Sequence, residues 1–445
     1  MRAAGSADTT SSRSKAHMFQ AGFASIEITP AVGTPLMGWG RPADRLATAV
    51  HDPLFARALW VQQGDQAAAI VALDLCFIGR TETERVHDIV ARQLGLQPRQ
   101  VLLHATHTHA GPAVGTYCHL LDEPPSQPYT NDLVNAIVAV IGEAQSSQRP
   151  ARLRAAVGRT SLPMNRRQRA NGQIINGPNP DGATYDKLPI CFLQDTSGKP
   201  ICLLFSISTH PVCFSGTAVS ADYPGAAIAT LEQTELGVRC ALFLQGMAGD
   251  SRPRTLADGA AWVRQPGAQE TLETGRILAQ EVRDGLKALA EVEPHVSSAL
   301  IETCWPLQPL PDAKAYEAIA SGEDPIRKRW ARHQLERLRR GTARQSAPIL
   351  MHALQLGTGL RLVALEGEPC HPYGQLIERQ FDAGVTIPIG YTGGEGLYLV
   401  TSSMLDEGGY ECNSYREYHQ PAPLAQGVEK ACEQGVRRLM EMGVA

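Results

Sequence analysis

No stretch of this 445-residue chain approaches the ~18 consecutive apolar residues of a membrane-spanning helix. An excess of one charge is missing too. Lys and Arg number 41 against 45 Asp and Glu, a formal net charge of −4, which argues against a general nucleic-acid or membrane-surface binder and toward small-molecule partners. The ten cysteines stand singly, mostly inside apolar runs, with no CxxC pair and no short framework spacing. That pattern points to buried free thiols in a reducing cytosol rather than a disulfide scaffold. No repeat of fixed period runs through the chain, which sets aside solenoids and propellers. Residues 1–18 are polar and small and lack the apolar core of a secretory signal. They are expected to be a disordered leader outside the fold, with residues 19–445 as one working unit located in the cytoplasm.

What the chain does have is interleaving. Short apolar runs rich in branched and small residues predict strands at Leu54–Val61, Ala67–Ile78, Val101–Thr106, Ile190–Leu193, Ile201–Ser208, Ala241–Leu244, Leu350–Leu356 and Leu360–Leu365. Apolar positions three and four apart predict helices at Thr81–Leu94, Asn131–Ala144, Ala226–Glu235, Gln269–Leu289, Lys314–Leu338, His371–Phe381 and Leu424–Met440. The expectation is an α/β fold of mixed sheets flanked by helices, in a single large domain. Long Gly-, Pro- and Asn-rich connections, among them Gly111–Thr130, Pro163–Asp186 and Gly249–Thr255, are where function is expected. The densely charged segment Ala313–Ala343 reads as a solvated helical pair, with a lid over a site as the alternative.

The stretch Val101–Pro112, VLLHATHTHAGP, holds three histidines just before a Gly-Pro break. If the strand runs through it, His107 and His109 share a face and His104 points to the other, into ordinary packing. A pair of imidazoles can hold a metal, yet HxH alone is weak: metallo-β-lactamases and barrel amidohydrolases carry it in other contexts. Here Ala-Gly-Pro follows, and a catalytic zinc site needs more donors. His210 ends an apolar run and meets a proline in the same way, and Glu368 follows Leu360–Leu365 with His371 close behind.

Taken together, THTHAGP (106–112), MNRRQR (164–169), STHPV (208–212), SADYPG (220–225), FLQGMAGDSRP (243–253), LEGEP (365–369) and YLVTSSMLDEGGYE (398–411) resemble, in order and content, the motifs of the neutral ceramidase family. The resemblance spans nearly the whole chain after residue 19. It implies a zinc-dependent amidase with one catalytic ion. His107, His210 and Glu368 would be zinc ligands, with Tyr398 as the tyrosine ligand and Tyr391 the less favoured choice. His109 would lie near the attacking water, Arg166 would bind substrate, and Tyr410 would face the substrate carbonyl. The sequence also departs from the family. Arg252 stands where the family has the serine of Gly-Asp-Val-Ser-Pro, and the chain stops too soon after Tyr410-Glu411 for the C-terminal immunoglobulin-like domain of full-length members. Ceramide itself is therefore not the expected substrate.

The chemistry that follows is attack of a zinc-activated water on a linear amide, with His109 moving the proton and Tyr410 and zinc stabilising the oxyanion. Asp222 and Asp250 are candidates either to orient His210 or the water, or simply to cap loops. Arg166 is the clamp for any anionic group on the substrate, whereas Arg167 and Arg169 read as a solvated loop with ion pairs. The expected substrate is a small or medium polar N-acyl compound, without nucleic-acid or integral-membrane partners. Ester or lactone hydrolysis at the same site, and a non-catalytic ligand-binding role on the same fold, are the alternatives.

Overall fold

The computed structural model describes residues 18–39, 44–115, 127–394 and 396–445, so all but Met18 of the expected leader lies outside the described residues. The run QAAAIVAL over Gln66–Leu73 shows how the core is built. Alternation puts Ala69, Val71 and Leu73 on one face and Ala68, Ile70 and Ala72 on the other. The first set packs with Val86 and Val90 of the helix Arg80–Leu94 and with Ile137 and Ile141 of the helix Gln127–Ser146. The second shares a core with Leu354, Leu362 and Ile387 of a separate sheet. With both faces covered the strand carries no polar side chain after Gln66, and each large aliphatic buried this way contributes about 1.5–3 kcal/mol.

The main sheet runs in the order Ala241–Gln245, Pro200–Ile207, Lys187–Asp195, Arg149–Arg159, Phe19–Glu27, Phe55–Gln63, Gln66–Leu73 and Val101–Ala105, with Ala290–Glu291 beside Arg149–Arg159. Parallel and antiparallel pairs both occur. Its two outer strands are drawn together, for the backbone N–H of Gln245 donates to Nε2 of His104 at 2.8 Å. Burial pushes His104 down to about 3, so it is the neutral packing residue that the sequence suggests. The second sheet, Pro294–Pro306, Ser346–Gly357, Leu360–Leu365 and Val385–Ile389, is covered by the helix Val428–Glu441 through Val436 and Leu439. The fold is thus α/β, with mixed sheets flanked by helices. No helix among the described residues is long and apolar enough to cross a membrane. None of the nine described cysteines is in a disulfide, and all but Cys304 are buried.

Several elements differ from the sequence reading. Pro163–Asp186 is not a loop: Pro163–Ala170 and Gln173–Asn179 form a hairpin turned at Asn171 and Gly172, both at positive φ. Its arginines hide the strand pattern. Arg149–Arg159 is likewise a strand, alternating charged residues with buried Leu153 and Ala155. Phe19–Glu27, Pro294–Pro306 and Val385–Ile389 are further strands without a marked apolar run. Ala67–Ile78 stops being a strand at Leu73. Lys314–Leu338 divides into Ala313–Ala320 and Pro325–Arg339, where Asp324 accepts from the N–H groups of Ile326 and Arg327 and Pro325 opens the second helix. This helical pair holds the segment after residue 414: Trp330 Nε1 donates to Gln420 O, Gln334 Nε2 to His419 O and the Tyr316 hydroxyl to Pro421 O.

Candidate metal centre

The centre forms beyond the carboxyl ends of strands from both sheets, the place where α/β folds commonly put ligands. The strand Val101–Ala105 holds His104 but ends before His107 and His109, which corrects the expectation of alternation through His109. His107 instead adopts φ 68, a left-handed conformation uncommon outside glycine. Its N–H donates to Leu75 O and its ring packs edge-on to Phe77. That turn, not a shared strand face, brings His109 round until its Nε2 lies 3.2 Å from Nε2 of His107. His210 follows Pro200–Ile207 and is pinned by its N–H to Ser251 O at 3.2 Å. Glu368 sits in a two-residue strand, Glu368–Pro369, parallel to Tyr398–Leu399, with Glu368 and Tyr398 as direct partners.

Nδ1 of His107 lies 2.8 Å from the carbonyl of Cys76, and Nδ1 of His210 lies 2.7 Å from the carbonyl of Ala248. A carbonyl only accepts, so both Nδ1 atoms carry the proton and both Nε2 lone pairs face inward. There they meet one carboxylate oxygen: Glu368 Oε2 is 3.3 Å from His107 Nε2 and 3.2 Å from His210 Nε2. All three side chains are buried, and His210 Nε2 and Glu368 Oε2 have no hydrogen-bond partner among the described residues. Inward lone pairs around an unpartnered carboxylate oxygen are what a divalent cation satisfies, and imidazole with carboxylate is a donor set such ions take. Cys76, His107 and His109 also lie close together, but the His107 atom nearest the thiol is the Nδ1 already bound to a carbonyl.

The local electrostatics agree with this reading. Burial works to raise the Glu368 carboxyl, yet His107 and His210 outweigh it and hold the group well below the usual carboxylate range. Burial, with Arg166 nearby, pushes His210 down to about 4, and burial with His107 and His210 beside it pushes His109 well below the usual imidazole value. Both rings are therefore neutral at neutral pH.

Aromatic side chains close the centre. Tyr398 stacks on His210 with ring centroids 6.5 Å apart, and Tyr391 lies 4.2 Å from His107 and 6.2 Å from His210. The structure thus brings both tyrosines to the cluster, and the Tyr391 hydroxyl is buried without a partner among the described residues. Tyr410 is 5.6 Å from Tyr398, and its hydroxyl donates to Glu417 Oε2 at 3.2 Å. Tyr418, which the sequence reading missed, donates to Oε1 of Glu368 through a short hydrogen bond. No local pattern marks it, because the contact spans 50 residues.

Arg166 commits Nε to Glu411 at 2.9 Å while its buried Nη2 has no partner among the described residues, and its guanidinium lies 5.2 Å from the Tyr398 ring. Arg167 is not solvated, as expected from sequence, but buried, donating to Glu411 at 2.7 Å and to Glu407 at 3.2 Å. Arg169 is exposed and pairs with Glu407. Asp222 accepts from the N–H groups of Cys213, Phe214 and Tyr223, so it caps the loop after His210 instead of holding the imidazole. Asp250 accepts from the N–H of His371 at 2.7 Å and pairs with His371 Nδ1 at 2.6 Å, and its own carbonyl accepts from the Arg166 N–H. It braces the loop between Glu368 and the helix Pro372–Glu378, a partnership the sequence did not suggest.

Residues 19–274 match the family described as neutral/alkaline non-lysosomal ceramidase, N-terminal. Glu368, Tyr398 and Tyr410 fall beyond that match, and the likeness there is one of fold. The structure of neutral ceramidase from Pseudomonas aeruginosa superposes with a TM-score of 0.72 at 18% identity, covering 95% of this chain and 74% of that one. A ceramidase complexed with C2 gives 0.74 at 18% identity, covering 95% and 75%.

Proposed function

The chain belongs to the neutral/alkaline non-lysosomal ceramidase family, and on that premise we propose that it is a zinc-dependent amidohydrolase cleaving the N-acyl bond of a small or medium polar compound. The observation that carries the reading is the convergence of His107 Nε2, His210 Nε2 and Glu368 Oε2, all buried. These three residues would hold zinc, with the Tyr398 hydroxyl as the further donor. Zinc bound this way supplies a Lewis acid and brings the pKa of its water toward ~7. His109, neutral through burial, takes the proton at Nε2 and returns it to the leaving amine. The Tyr410 hydroxyl, which donates to Glu417 in this structure, would turn to the developing oxyanion, and the imidazole Nδ1–H contacts to Cys76 and Ala248 fix ring orientation throughout. A cytoplasmic location and a single unit over 19–445 remain part of this proposal.

Metal analysis of the purified protein tests it, alongside His210→Ala and Glu368→Ala. The expected result is one zinc per chain in wild type and loss in both variants; full retention by both would remove the site. A panel of matched amides, esters and lactones then decides the bond, with amides expected to be cleaved fastest.

A further inference from the structure

Arg252 lies beside the centre, and its surroundings differ from those of Arg166 and Arg167, which pair with carboxylates, and of Arg45, which is held by the carbonyls of Met37, His109 and Gly216. Arg166 and Arg167 share the buried carboxylate of Glu411, and Arg167 adds Glu407. Asp250 is taken by His371. Among the described residues no carboxylate pairs with Arg252; the groups that act on it are Arg166, Cys213 and Tyr398.

Two indoles hold its guanidinium in place. It lies 5.5 Å from the ring of Trp39 and 5.2 Å from that of Trp262. Both rings are anchored, Trp39 Nε1 to Phe214 O at 3.1 Å and Trp262 Nε1 to Asn176 Oδ1 at 3.2 Å. Stacking of this kind fixes the plane of an arginine and leaves its N–H edge for a planar anion. Trp39 also packs edge-on against His109 at 5.7 Å, so the same ring touches the proposed proton carrier and the arginine. Arg252 is half-buried. Burial and the neighbouring Arg166 lower it to about 10, and a bound anion would offset that shift by favouring the charged guanidinium.

We infer that Arg252 is a specificity-determining residue that binds a carboxylate on the substrate, so that the compound cleaved here is an N-acyl amide bearing an anionic group within one small molecule's length of the scissile bond. This rests on the amide-hydrolase reading for the reaction, though not for the anion site.

The test uses two anionic amides and their neutral counterparts with zinc-loaded full-length protein: N-hexanoylglycine against N-hexanoylglycinamide, with the charge on the amine side, and N-butylsuccinamate against N-butylpentanamide, with the charge on the acyl side. One of the two anions is expected to exceed its neutral partner in kcat/KM by roughly 10- to 100-fold, the range of a charge-assisted pair. Arg252→Gln should bring that ratio close to one, Arg252→Lys should restore part of it, and Arg169→Gln, at the exposed end of the hairpin, should leave it unchanged. Equal turnover of both members of both pairs, or a ratio that survives Arg252→Gln in protein retaining its zinc, overturns the inference. Calorimetric binding of the same four compounds separates the two layers. Charge-dependent binding lost in Arg252→Gln without cleavage keeps the anion site and removes the amidase, whereas cleavage without charge preference does the reverse.

Discussion

Tyr418 donates its hydroxyl hydrogen to Oε1 of Glu368, which leaves Oε2 as the carboxylate oxygen that faces His107 and His210. The bond holds the carboxylate with a single oxygen toward the metal position. Tyr418→Phe is therefore expected to keep the metal but to bind it roughly 10- to 100-fold more weakly, as loss of such a partner commonly does. Competition with a chelator measures this, and the electronic spectrum of the cobalt-substituted protein should shift as Glu368 gains freedom. Unchanged affinity and spectrum would show the contact to be incidental.

His109 is close to the triad yet outside it, with Nε2 3.2 Å from His107 Nε2 and Nδ1 without a partner among the described residues. His109→Gln should leave zinc content intact and lower kcat by roughly 10²–10⁴, the usual contribution of a general base. If the variant loses its metal, His109 is a ligand and not the proton carrier.

Tyr398 and Tyr391 make opposite predictions. Tyr398 is the backbone partner of Glu368, so its hydroxyl is the proposed donor to zinc, whereas Tyr391 packs on His107. Tyr398→Phe is expected to weaken zinc measurably in the same chelator assay and Tyr391→Phe to leave it nearly unchanged. The reverse order would exchange their roles.

The Asp250–His371 pair links stability to pH. Burial opposes both charges, but each partner outweighs it, raising His371 above its ordinary 6.5 and lowering Asp250 below its ordinary 3.8. The raised His371 contributes stability that is full below 6.5 and fades as pH rises through its folded value. The lowered Asp250 contributes above 3.8 and fades as pH falls through its own. Thermal unfolding of wild type and His371→Gln should thus differ most between about pH 4 and 6.5, by about 3 kcal/mol for a buried carboxylate left with a weaker partner. A difference that grows toward alkaline pH would contradict the assignment.

Much of the fold was legible because burial on two faces leaves its mark on single runs. QAAAIVAL and LRLVAL read as strands, and their neighbours as helices, from local pattern alone. Arg149–Arg159 escaped because its buried residues alternate with arginines, and Pro163–Ala170 because its buried stretch itself contains Arg166 and Arg167; their partners, such as Asp195 and Glu411, lie far away in the chain. Within the site, His107, His109, His210 and Glu368 were marked by histidines and a carboxylate placed at strand ends, and the structure brings them together. The left-handed turn at His107 that makes the two imidazoles converge has no signature in THTH.

The sequence by itself determined the donor types, their order and the family, since these depend on which residues stand at the ends of apolar runs. Tertiary structure decided which oxygen of Glu368 faces the imidazoles, that Tyr418 holds the other, that Asp222 and Asp250 brace loops, and that Arg252 lacks a carboxylate among the described residues. Those outcomes depend on distances between side chains tens to hundreds of residues apart. Local propensity is blind to them, because only packing in three dimensions chooses which polar atoms are paired and which are left for a ligand.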